Sequence, residues 1–334
     1  MLRRTLAAVI ATAALAASAG STSPSLASYP ASERQAAAAP GAERAVKDAV
    51  LLANRGGPLP SSTRPGLADL NKSRVNLGRK CSYSTPHNDD GGTLCPYGDL
   101  DGSRTLVVLG DSHGLHWVPA LEPYAVKHGY RAFYLVKEQC TASIVRNGDP
   151  AEARPRAPWV ACQAFRDWTL DVIADLDPDV VIVSTSTPTK GVFTKKGYAD
   201  TPEGIVGPYR DGFRKLFRRI AKVTDARRVM LRDVPARRVK SDPIPCFRPR
   251  DHTLRDCLSP RDVQQSRVMM VTAGVEAARN AGAEIVDPTP LFCWRKLCPV
   301  AVGQLLPYRN TSHITTEYAR HVSGALARLL RLDR

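Results

Sequence analysis

Aromatic residues are scarce, only 6% of the 334-residue chain, and Asp plus Glu (32) fall well short of Lys plus Arg (47). The first scarcity argues against a nucleic-acid partner: the basic clusters at Arg214–Arg219, Arg227-Arg228 and Arg237-Arg238-Val239-Lys240 are not interleaved with stacking side chains, and no nucleic-acid motif accompanies them. Beyond the N-terminus no apolar run reaches the ~20 residues that a membrane-spanning helix needs. Zinc-type spacing is also missing. Cys293 and Cys298 have no second tight pair and no His-x-x-x-His beside them, so the sequence calls for no metal and no cofactor.

The sequence has eight cysteines and a net charge of +15. Its N-terminus predicts export: Met1-Leu2-Arg3-Arg4-Thr5 is a positive n-region, Leu6–Ala16 is apolar, and Ala17-Ser18-Ala19 is a small-residue cleavage site, giving a signal peptide over 1–19. An exported chain keeps disulfides, and the clustering of the cysteines favours neighbours: Cys81–Cys95, Cys140–Cys162, Cys246–Cys257 and Cys293–Cys298. A basic exported protein, secreted or cell-wall associated, suits anionic envelope polymers; scattered solvated arginines are the plainer account of the same charge.

Residues 20–45 are rich in Ala, Ser and Pro and read as a disordered spacer, followed by a short helix over Val46–Asn54. One domain is expected over 58–332, its leading part to about 103 turn-rich and carrying the first cysteine pair. Beyond it strands at Thr105–Leu109, Ala132–Val136, Val180–Ser184, Arg228–Leu231 and Glu284–Val286 alternate with helical patterns at His116–Lys127, Trp159–Ala174, Tyr209–Lys222, Pro260–Ala281 and Thr315–Leu330. Ser259-Pro260 reads as the start of the fourth helix. The pattern predicts α/β architecture, a three-layer α/β/α sandwich on a mainly parallel five-stranded sheet, with its functional end at the strands' C-termini.

At the end of the first of these strands stands Gly110-Asp111-Ser112-His113-Gly114, with a helical pattern behind it. Such a turn lifts the Ser112 hydroxyl above the sheet edge beside free backbone N–H groups. Asp111 is expected to bond backbone within the turn, His113 and His116 to pack or rim the site, and Trp117 to be core. Lys190–Gly204 reads as a solvated loop. A serine needs a base. His313, in the polar loop before the last helix, is the best of seven histidines.

These residues resemble the SGNH (GDSL-type) hydrolases, most closely the extracytoplasmic SGNH domains fused to acyltransferase-3 membrane O-acetyltransferases. The likeness runs from about Val50 to Leu330 through Pro58-Leu59-Pro60, Cys81 and Cys95, the Gly-Asp-Ser-His block with Trp117-Val118-Pro119-Ala120-Leu121, and Cys140-Thr141-Ala142. It continues through Asp179-Val180-Val181-Ile182, Asp287-Pro288-Thr289-Pro290 with Cys293, Cys298-Pro299-Val300 and His313-Ile314-Thr315.

The resemblance implies a flavodoxin-like SGNH fold and a secreted serine esterase or O-acyltransferase acting on acetyl or similar small acyl groups of cell-envelope glycans, with a separate membrane acyltransferase as a partner. Ser112 would be its nucleophile and His313 its base. Where the family has Asp-x-x-His, this chain has Asn310, which leaves three readings open: a dyad oriented by Asn310, a replacement acid such as Asp287 or Asp233, or an inactive domain. The family's oxyanion Gly and Asn are absent too. Candidate donors are the N–H of Ser112, N–H groups at Cys140 or Thr141, and the hydroxyl of Ser186 or Thr187. Two other functions stay in view: a noncatalytic glycan-binding or scaffold protein with a degenerate cleft, and a secreted α/β-hydrolase-type lipase or peptidase suggested by Gly-x-Ser-x-Gly.

Overall fold

The computed structural model describes residues 42–78, 81, 94–188 and 190–333. The expected signal peptide and nearly all of the spacer lie outside them. In chain order the elements are α1 (Ala42–Asn54), β1 (Pro96–Gly98), β2 (Arg104–Gly110), α2 (Ser112–Leu115), α3 (Val118–Lys127), β3 (Tyr130–Val136), α4 (Val160–Leu176), β4 (Val180–Ser184) and the hairpin β5 (Val192–Thr194) and β6 (Gly197–Ala199). They continue with α5 (Pro202–Val223), β7 (Arg227–Leu231), α6 (Pro243–Phe247), β8 (Ser259–Pro260), α7 (Gln265–Asn280), β9 (Glu284–Val286), β10 (Leu297–Cys298), α8 (Thr316–His321) and α9 (Ser323–Leu329).

The central sheet has six strands in the order β1-β3-β2-β4-β7-β9. Five are the parallel strands of the sequence pattern; the sixth, β1, joins β3 antiparallel at the edge and corrects the five-stranded expectation. At three residues, Pro-Tyr-Gly, β1 is too short to carry a hydrophobic alternation.

Strand residues alternate between two cores, as a sheet covered on both faces requires. Leu106, Val108, Tyr134, Ile182 and Leu231 pack with Trp117, Leu121, Tyr318 and Leu326 on the face covered by α1, α3, α8 and α9. Val107, Leu109, Leu135, Val183 and Met230 pack with Phe165, Phe213, Phe217 and Val271 on the face covered by α4, α5 and α7.

Several boundaries differ from expectation. Helix α1 begins at Ala42 and buries Val46 and Val50 in the first core, so the packed domain starts before residue 58 and the spacer stops short of 45. Ser259-Pro260 does not start a helix; it pairs antiparallel with Leu297-Cys298, and α7 begins at Gln265. Residues 192–199 form a hairpin and α5 starts at Pro202, where the Thr201 hydroxyl accepts from Gly204 N–H.

The four bonded cysteine pairs are Cys81–Cys95, Cys140–Cys162, Cys246–Cys257 and Cys293–Cys298. Two arginines are inside. Arg166 donates to the carbonyls of Thr141, Ser143 and Val145, and Arg237 donates to those of Cys257, Cys298 and Pro299. Each guanidinium supplies several backbone carbonyls with donors in place of water. Burial lowers both to about 10.

Candidate active site

Ser112 follows β2, the strand between β3 and β4, at the C-terminal end of the sheet. The turn is tight because of what lies beneath it. A Cβ on Gly110 would stand 1.8 Å from the Ser184 carbonyl oxygen, and one on Gly114 would stand 2.9 Å from the same atom. The two glycines of Gly-x-Ser-x-Gly therefore serve the approach of α2 to the end of β4.

Asp111 anchors this platform. Its carboxylate accepts from the N–H of His113 at 2.8 Å, the hydroxyl of Thr185 at 2.8 Å, and both the N–H and the hydroxyl of Ser186, the latter at 2.7 Å. That is the structural role expected of it. It also commits the Ser186 hydroxyl, which is buried, so Ser186 is no oxyanion donor and that expectation is corrected.

His313 enters from the loop before α8. The loop is fixed by the Arg309 N–H to His313 O (2.9 Å), the Arg237 N–H to Thr311 O (2.8 Å) and the Thr315 hydroxyl to Leu306 O (2.6 Å). His313 Nε2 lies 3.0 Å from Ser112 Oγ, and His313 Nδ1 lies 3.1 Å from Asn310 Oδ1. The Asn310 amide cannot turn over without loss, because the same Oδ1 accepts the N–H groups of Ser312 (3.1 Å) and His313 (2.9 Å). An atom held by two backbone donors is an oxygen. It only accepts, so Nδ1 carries the imidazole proton and Nε2 presents its lone pair to the serine. Asn310 thus supplies the tautomer that Asp supplies elsewhere, without the charge.

Neither proposed replacement acid reaches His313. Asp287 pairs with Arg232 at 2.9 Å and accepts the Thr289 N–H. Asp233 bonds the other histidine: its Oδ1 lies 2.6 Å from His113 Nδ1, and its Oδ2 accepts from Arg267. Burial alone would raise the Asp233 carboxyl, but Arg267 and His113 outweigh it and hold it below the ordinary carboxylate value. The His113 and His313 ring centroids are 4.7 Å apart, the rings tilted at 53° to one another. Burial first, then His113 and the Arg309 guanidinium, push His313 down to about 3. Burial likewise pushes His116 well below its ordinary value. Trp117 is fully buried, as expected.

On the other side of the serine, the turn after β3 has Gln139 at φ +63°. This left-handed position normally falls to glycine, and it stands where the resemblance asks for one. The Cys140 N–H donates to Lys137 O at 3.1 Å, which removes it from the candidate oxyanion donors. Thr141 is buried, with its hydroxyl donating to Ser186 O at 3.2 Å. Sequence reasoning missed Gln139 because glycine was sought by identity, whereas the backbone conformation was kept by another residue. Arg74, Glu138 and Arg309 line the cleft with Ser112 and His116.

A family model described as SGNH domain (fused to AT3 domains) matches residues 80–328. The chain belongs to that SGNH family. The match removes the α/β-hydrolase alternative, since the Gly-x-Ser-x-Gly spacing here follows the first parallel strand. No curated protein matches the chain. Among solved structures, the periplasmic domain of the lipopolysaccharide acetyltransferase of Salmonella ser. Paratyphi A is similar in fold, with a TM-score of 0.54 and 15% identity over 77% of this chain and 92% of that one. A GDSL-like lipase from Parabacteroides merdae ATCC 43184 aligns at a TM-score of 0.38 and 9% identity, over 71% of this chain and 100% of that one. Among the described residues no helix is long and apolar enough to cross a membrane.

Proposed function

We propose that this SGNH domain is an exported serine esterase or O-acyltransferase that moves acetyl or a similar small acyl group off or onto hydroxyls of cell-envelope glycans. One observation carries the reading: Ser112 Oγ is 3.0 Å from a His313 Nε2 whose tautomer Asn310 fixes. Ser112 attacks the acyl carbonyl while His313 takes its proton; His313 then gives that proton to the departing alcohol, leaving an acyl-serine. Water or a sugar hydroxyl, deprotonated by the same imidazole, releases the acyl group. The N–H of Ser112 and that of Gln139 are the donors assigned to the oxyanion.

The basic balance, +13 once Arg3 and Arg4 leave with the signal peptide, favours approach to anionic envelope polymers. The family's fusion to acyltransferase-3 domains makes a membrane acyltransferase the natural acyl source. Export follows from the Leu6–Ala16 apolar stretch and cleavage near Ala19.

The test is labelling of the mature protein with a fluorophosphonate probe and turnover of an aryl acetate, beside Ser112→Ala and His313→Ala. Both variants are expected to lose labelling and turnover. A wild-type protein that neither labels nor turns over would instead be a glycan-binding domain with an idle cleft.

A further inference from the structure

Two arginines, Arg74 and Arg309, line the Ser112 cleft. Among the described residues neither the Arg74 nor the Arg309 guanidinium has a hydrogen bond or an ion pair, whereas the hydroxyls of Ser112 and Thr316 in the same cleft are engaged. The same cannot be said of the arginines deeper in the molecule, which are capped by carbonyls or carboxylates. Arg309 is partly buried. Desolvation and the proximity of Arg74 both lower its pKa, with Glu138, a third lining residue, acting the other way. Two like charges against one carboxylate leave the cleft net positive. Concentrating them beside a low-dielectric wall costs free energy that a bound anion returns.

Both side chains spring from pinned backbone. Ser73, next to Arg74, is buried; its hydroxyl donates to Glu317 and accepts the Thr316 N–H at 2.9 Å. That ties the segment to the start of α8, immediately after the base. Arg309 lies in the loop closed by its own N–H to His313 O and by the pairing of Tyr308 with Ile314. The guanidinium groups are therefore carried at the serine by the same contacts that place His313, which is the preorganisation a specificity contact needs.

We infer that Arg74 and Arg309 form an anion subsite beside Ser112, which takes a carboxylate or phosphodiester of an acidic glycan bearing the acyl group. This rests on the esterase or acyltransferase reading and narrows its substrate class. Guanidinium forks suit either oxyanion.

The test follows acetate release from two acetyl esters that differ at the carboxyl group: an O-acetylated oligogalacturonide and its uncharged methyl-esterified form. For the wild-type protein kcat/KM is expected to favour the charged ester by about 10–100-fold, the size of one or two charge-assisted contacts. That preference should collapse towards one in Arg74→Gln and Arg309→Gln, return in part in Arg309→Lys, and persist in Arg218→Gln, an exposed control on α5. O-acetylated poly(glycerol phosphate) in place of the galacturonide tells phosphodiester from carboxylate. Calorimetric titration of Ser112→Ala with unacetylated oligogalacturonide gives a readout independent of turnover, with Kd expected to weaken about tenfold when either arginine is changed. Equal kcat/KM on both galacturonide esters, with no phosphodiester preference, overturns the inference while Ser112-dependent aryl acetate turnover stands. If that turnover is absent the catalytic reading falls, and the titration alone decides the subsite: binding that Arg74→Gln and Arg309→Gln leave unweakened overturns it.

Discussion

Two imidazoles sit 4.7 Å apart beside Ser112 and live in opposite settings. His113 has what a catalytic histidine is expected to have, a buried carboxylate at 2.6 Å backed by an arginine, yet its Nδ1 is spent on that carboxylate. His313 has the serine at 3.0 Å and only an amide behind it. The difference separates orientation from charge. Asn310 does the first for His313; the second comes only through space from the Asp233 charge, which burial, His113 and Arg309 outweigh.

The sharpest break of this comparison is an exchange of losses. His313→Gln is expected to lower kcat/KM on an aryl acetate by roughly 10⁴-fold or more, and His113→Gln by less than about tenfold. Comparable losses at both positions would mean that the carboxylate-backed histidine takes part in proton transfer.

Stability should reverse the order. Asp233→Asn leaves Arg267 with no carboxylate in a buried place, at a cost of about 3–5 kcal/mol in urea unfolding. Because the Asp233 carboxyl is held below its unfolded value, its contribution is complete above the unfolded pKa, near 4, and is lost as pH falls through the folded one. Wild type should therefore shed more stability than Asp233→Asn on acidification below about pH 4. His313, held low by burial first, adds a slope of the same sign between about 6.5 and 3, and this slope should survive in the variant.

Both histidines share the Asp111 platform, and Ser186→Ala tests whether its lower deck is structural only. Removing one hydroxyl donor to a buried carboxylate should cost about 1.5–3 kcal/mol of stability. Turnover per folded molecule should change less than about threefold; a fall of the order of 10²-fold, typical of a lost oxyanion donor, would restore Ser186 to that role.

Much of this was legible in the chain. The five parallel strands came from β-branched runs, and Ser112 and His313 from a turn and a polar loop at the strands' C-terminal side. What escaped was short or relational. β1 has three residues and no alternation; the first turn of α1, Ala42–Ala45, reads as the tail of an Ala-rich spacer, although the helix behind it from Val46 is expected and buries Val46 and Val50. Ser259-Pro260 carries a helix-start signature, but its partner Leu297-Cys298 lies far along the chain. The Asp233–His113 pair joins residues 120 apart, and sequence alone could only offer Asp233 to the wrong histidine.

The finest test restores the missing charge. Asn310→Asp keeps an acceptor in the place of Oδ1, where the N–H groups of Ser312 and His313 and the ring Nδ1 converge, so the tautomer should persist. A carboxylate there favours the imidazolium, which burial now opposes. The wild-type base, pushed down to about 3, should give kcat/KM that is level from about pH 5 to 7, whereas the variant's acid limb should move up towards 6.5. At pH 8, where both bases are neutral, the variant should be faster by about tenfold, because the imidazolium formed as the serine attacks is then paired. An unchanged limb would mean that the aspartate is itself protonated in this site, and would leave orientation as all that position 310 contributes.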